Sequence, residues 1–151
     1  MDKSLEFLRE MKDKKKAKLF GGICRLFESR FPNEYYNTCI GINEEGFYMS
    51  YRDVNYNINF LSNDGLRFKM LAEIPSESKM NLEEKIRTHS KSNSVIEKTK
   101  YISGHSVQFD GENIVSSCYL KKFPEENKDI NKLCNQLWNY VIKPVFLSLY
   151  D

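Results

Sequence analysis

The chain has 151 residues, with 23 Lys+Arg against 21 Asp+Glu and a formal net charge of +2. That length fits one domain, and 40% hydrophobic with 13% aromatic residues supplies a core, which excludes global disorder and fibrous classes. The small net charge argues against a strongly basic nucleic-acid binder and against an acidic mimic of nucleic acid, and no run of 18 apolar residues is present to span a membrane.

The first predicted element is a helix from Ser4 to Arg30, with Ser4 as its N-cap. Leu5, Leu8 and Met11 form an early apolar face, and Leu19, Ile23, Leu26 and Phe27 a later one, at steps of three and four. Gly21-Gly22 weakens that helix, since each interior glycine costs about 1 kcal/mol, and the pair bends it or admits a close neighbour. Pro32 stops it by excluding Phe31 from the α region. The period then changes to two. Cys39–Ile42 and Phe47–Tyr51 read as a hairpin across Asn43–Gly46. Val54, Tyr56, Ile58 and Phe60 alternate with Asn55, Asn57 and Asn59, giving a strand with one dry and one wet face. Ser62–Gly65 turns the chain into a return strand with Leu66, Phe68 and Met70 on one side.

Pro75 closes this meander. A short helix follows, with Asn81 as cap and Glu84 completing a capping box, held by Leu82 and Ile86. Ser90 to Ser94 reads as a loop and Val95 to Ile102 as a strand of mixed polarity. His105, Val107 and Phe109 alternate up to Asp110-Gly111, and Ile114, Ser116, Cys118 and Leu120 alternate beyond it, which is a third hairpin. The last helix is predicted from an Asp129 cap, with a wide apolar stripe from Leu133 to Leu149 that Pro144 kinks or divides. The expectation is a single α+β domain over residues 1–151. Its antiparallel sheet of about six to seven strands carries three helices on one face, N-terminal, middle and C-terminal.

The candidate chemistry is sparse. His89 and His105 belong to no catalytic motif, and no acid with E-x-K on one strand forms a nuclease-like triplet. Cys24, Cys39, Cys118 and Cys134 lack paired spacing, so no catalytic residue, metal or cofactor is expected and the thiols read as reduced and mostly buried. The N-terminus carries acids and no apolar h-region, so no secretory signal is expected and the compartment is read as cytoplasmic.

Two features favour binding instead. Residues 1–31 hold 9 basic and 5 acidic side chains, against 14 and 16 in the remainder, and Lys12, Lys14, Lys15, Lys16 and Lys18 cluster within seven positions. The plain explanation is a solvated helix face; an acidic protein partner comes next and nucleic acid third. Tyr35, Tyr36, Tyr48 and Tyr51 accompany the Asn55, Asn57, Asn59 ladder, a combination suited to adaptable recognition surfaces. A genome rich in A and T would also raise Tyr and Asn, without explaining the alternation.

The expected function is a non-enzymatic, bacterial or phage protein that neutralises or occludes a protein partner. At the level of layout alone it resembles immunity proteins, anti-defence inhibitors and secretion chaperones. The alternatives are a nucleic-acid-associated protein using the basic helix, and a small hydrolase or nuclease with an unrecognised site. A homodimer is compatible with either binding reading.

Overall fold

The computed structural model describes residues 14–30, 39–43, 46–51, 54–61, 67–74 and 81–150. In chain order these form α1 (Lys14–Arg30), β1 (Cys39–Asn43), β2 (Gly46–Tyr51), β3 (Val54–Leu61) and β4 (Arg67–Glu73). There follow α2 (Leu82–His89), α3 (Asn93–Glu97), β5 (Ile102–Asp110), β6 (Asn113–Leu120) and α4 (Asn127–Leu137). A π-helical turn, Trp138–Ile142, joins α4 to α5 (Lys143–Tyr150). The fold is α+β, with one antiparallel sheet in the order β1-β2-β3-β4-β6-β5.

The alternation read along β3 sets the layers. Val54, Tyr56 and Ile58 are buried together with Phe68, Met70 and Ala72 of β4 and Ile114, Ser116 and Cys118 of β6. The C-terminal helical run covers this face: the Tyr56 and Phe146 rings sit 5.4 Å apart, and Ser116 Oγ donates to the Val141 carbonyl at 2.8 Å. Ile130, Leu133, Leu137, Val141, Ile142 and Val145 complete the core, each side chain contributing about 1.5–3 kcal/mol of apolar transfer. Trp138 is only partly buried, packed against the core with its ring 6.3 Å from that of Phe146. Leu19, Phe20 and Ile23 bury the described part of α1, which packs on α4.

Gly22 explains the glycine pair in α1. A Cβ there would lie 2.6 Å from Cys134 Sγ, so the glycine is what lets α4 approach, and the thiol donates to the Leu19 carbonyl at 3.4 Å. The predicted segment around Ser4, Leu5, Leu8, Met11 and Lys12 lies outside the described residues, as do the predicted Ser62–Gly65 turn, Leu66 of the predicted return strand, Pro32 and Pro75.

Several boundaries differ from expectation. The predicted strand from Val95 to Ile102 is instead the short helix α3 followed by a turn, and β5 begins only at Ile102. β-branched Val95 and Ile96 favour a strand locally, but only Ile96 finds a core position; Val95 is 43% exposed, so no two-residue alternation holds the run extended. Asn81 does not form the predicted capping box: it adopts the left-handed region at φ 61 and makes no side-chain cap bond. Asp129 is not the N-cap of α4, which starts at Asn127; its carboxylate accepts the Tyr101 hydroxyl at 2.7 Å instead.

As expected, the run divides at Pro144: a π-helical turn separates α4 from a second short helix that begins at Lys143. Proline in an α-helix removes one N–H and collides with the carbonyl four residues back. The widened turn before it lets the Lys143 N–H reach the Trp138 carbonyl, and α5 then starts with Pro144 in its first turn, where proline is tolerated.

Candidate functional site

The sheet face opposite the helices is the first surface to consider. Backbone register aligns Asn59, Lys69, Ser117 and Ser106 in one row across β3, β4, β6 and β5. Asn57, Leu71, Val115 and Gln108 make the adjacent row. Asn55, Glu73, Ser106, Gln108 and Tyr119 are exposed, and Asn57, Asn59, Lys69 and Leu71 are half-buried. Ser117 is covered within this face: Arg67 Nη2 donates to its hydroxyl at 3.3 Å, and Ser106 Oγ lies 3.4 Å away. The result is a polar surface, amide on β3 and charged on β4 through Arg67, Lys69 and Glu73, with Leu71 and Val115 at its middle and Tyr119, 43% exposed, toward one end.

The binding residues expected from sequence are distributed unevenly. Asn55, Asn57 and Asn59 form the ladder on this face, and Tyr48 pairs with Asn57 in backbone register. Tyr51 pairs with Val54, a core-facing position of β3. Lys14, Lys15, Lys16 and Lys18 fall in α1, away from β3 in sequence. Lys14 and Lys18 are exposed, and the Lys18 ammonium donates to the side-chain carbonyl of Asn127 at the start of α4. Lys12, Tyr35 and Tyr36 lie outside the described residues.

The titratable interior groups serve the fold. His105 is buried, with Nε2 at 3.2 Å from Ser116 Oγ. Because that hydroxyl gives its proton to the Val141 carbonyl, Nε2 must be the donor, leaving Nδ1 as the acceptor nitrogen. The pair is therefore not arranged as a base activating a serine nucleophile. Burial lowers the His105 pKa and raises the Cys118 thiol to about 12 and the Cys134 thiol to about 11. Such thiols stay protonated and are poor nucleophiles. Among the described residues no group of three or more His, Cys, Asp or Glu is placed to hold a metal ion. No helix there is long and apolar enough to cross a membrane.

A second surface was not foreseen. Between α2 and β5 lies a cleft of 470 Å³, lined by Glu83, Ile86, Arg87, Lys91, Val107 and Phe109, with His105 in its wall. Its existence depends on a bulge. Ser103 pairs with Tyr119 and Ser106 with Ser117, so Gly104 and His105 together oppose Cys118 alone. Gly104 takes φ +60, and this extra residue allows Ile102 and His105 both to face the helices. The sequence signal was present in Ser103-Gly104, but a glycine within a strand does not reveal which edge it bends. Compared with family models, curated proteins and solved structures, the chain found no match in any of the three.

Proposed function

We propose that this protein is a binding module that occludes a protein partner through the open face of its sheet. The observation that carries the reading is the open polar face over β3, β4, β6 and β5, where the Asn55, Asn57 and Asn59 amides lie beside Lys69 and Glu73 and Tyr119 is exposed. Amides and hydroxyls there offer hydrogen bonds in a fixed, rigid array, and Leu71 and Val115 give a small apolar centre, the composition of a non-obligate interface. The helical face, by contrast, spends its side chains on the core.

The reading takes residues 1–151 as one domain working in the cytoplasm, and the free, buried Cys118 and Cys134 support a reducing compartment. α1, which packs on α4, would steer encounter with an acidic partner through its lysines. The test is co-purification from native extract with an Asn57→Glu/Lys69→Glu double variant. The wild type is expected to retain a protein in stoichiometric amount and the variant to lose it with an unchanged thermal midpoint. Recovery of nucleic acid in place of protein would reject the reading.

A further inference from the structure

Among the described residues β5 is an edge strand, so half of its backbone groups face no neighbouring described strand. Which half follows from the hairpin. Gly111, at φ +60, and Glu112 form a two-residue turn of the II′ kind, which makes Asp110 and Asn113 a hydrogen-bonded pair. Alternation then commits the N–H and C=O groups of Gln108 and Ser106 to β6 and turns those of Val107 and Phe109 outward. The beginning of the strand is already closed, because the Gly104 N–H donates to Glu97 Oε1 of α3 at 2.8 Å. The open stretch is therefore 106–110, the part of β5 that lines the cleft.

The cleft adds side-chain recognition to this backbone edge. Ile86 forms an apolar base, and Phe109, 42% exposed, forms a wall. Arg87 and Lys91 stand on the α2 side. Among the described residues, Glu83 is the one carboxylate in the lining and is held by Arg87 at 2.5 Å, and Lys91 has no ion-pair partner. The lining is thus net basic. Its volume lies within the range of small-ligand sites, which suits a few residues of extended chain.

We propose that the cleft between α2 and the free edge of β5 binds an extended, carboxylate-bearing peptide segment as an added β-strand. Main-chain bonds to Val107 and Phe109 supply affinity. Alternate side chains enter the Ile86–Phe109 recess, and a carboxylate meets Lys91 and Arg87. A second copy of this chain fits less well. Two β5 edges joined antiparallel by a two-fold axis normal to the sheet keep both helical layers on one side, bringing each Arg87 and Lys91 toward its own copy. The surface is separate from the open face, so either proposal can fail alone.

The experiment uses displayed random seven-residue peptides, selected on the full chain and then synthesised for titration. Enriched sequences should alternate apolar residues and contain Asp or Glu. Val107→Pro deletes an outward N–H without touching the β6 ladder, and it should weaken the selected peptides at least tenfold while circular dichroism stays unchanged. Arg87→Gln/Lys91→Gln should weaken them severalfold, and Asn57→Glu/Lys69→Glu should leave them unaffected. If Val107→Pro does not fold, peptides N-methylated at alternate amides replace it, with the same loss expected. No enrichment, enrichment of basic peptides, or binding indifferent to those backbone blocks would overturn the proposal. Concentration-dependent dimerisation abolished by Val107→Pro would overturn it in favour of a second copy.

Discussion

His105 is where a single residue reports on the whole interior. Its ring donates to Ser116, Ser116 donates to the π turn at Val141, and burial disfavours the imidazolium. The folded-state pKa therefore lies below the ordinary value of 6.5 that the unfolded chain keeps. As pH falls through 6.5 the unfolded state takes up a proton that the folded state resists, so stability is full above that point and declines below it. The thermal midpoint should drop between pH 7.5 and 5.5, and His105→Gln, which keeps a donor toward Ser116, should flatten that part of the profile. An equal drop in the variant would assign the pH dependence to other groups. Gly22 offers a second test at this scale. Gly22→Ala gains helix propensity of about 1 kcal/mol but forces a Cβ against Cys134 Sγ, where overpacking costs about 1–3 kcal/mol. Net destabilisation in denaturant titrations, relieved when Cys134→Ala is added, is the expected pattern; strict additivity would mean the two sites do not touch.

Among the elements, the β5–β6 hairpin and the C-terminal helices show what periodicity can and cannot carry. The alternation of His105, Val107 and Phe109 against Ile114, Ser116 and Cys118 was legible because one face is buried, which fixes register. The bulge at Gly104 was not, since a one-residue shift leaves no mark in a short apolar pattern. Val95 and Ile96 misled for the related reason that local β preference yields to whichever conformation buries a side chain. Pro144 marked a break in the helix but not its form, because a π turn is one of several ways to lose the same hydrogen bond. The bulge is directly testable. Gly104→Ala places a Cβ 3.2 Å from Tyr119 Cδ2 in a left-handed conformation, and should cost about 1–2 kcal/mol. A neutral effect in thermal unfolding would show that the strand can run without its bulge. In α4, Leu137→Ala should cost about 2–5 kcal/mol, as for other buried large-to-small changes, and a neutral midpoint would remove Leu137 from the core.

At the scale of the molecule, the sheet separates a packed side from a recognition side, and the recognition side carries Arg67, Lys69 and Glu73 beside its amides. The Asn ladder could be read from alternate positions along β3, since such a pattern fixes which residues share a face. Its neighbours Lys69, Ser117, Gln108 and Tyr119 come from distant segments that only register brings together. The α2–β5 cleft was illegible for the same reason, being made where a helix passes an edge. Lysines happen to mark the three surfaces separately: Lys69 the open face, Lys14 and Lys18 the helix α1, and Lys91 the cleft. Covalent lysine footprinting, read by mass spectrometry with and without native extract, therefore compares them in one measurement. Occlusion of a protein partner by the sheet predicts that Lys69 loses reactivity while Lys14 changes little. Protection of Lys14 and Lys18 with Lys69 unchanged, removed by nuclease treatment of the extract, would contradict it.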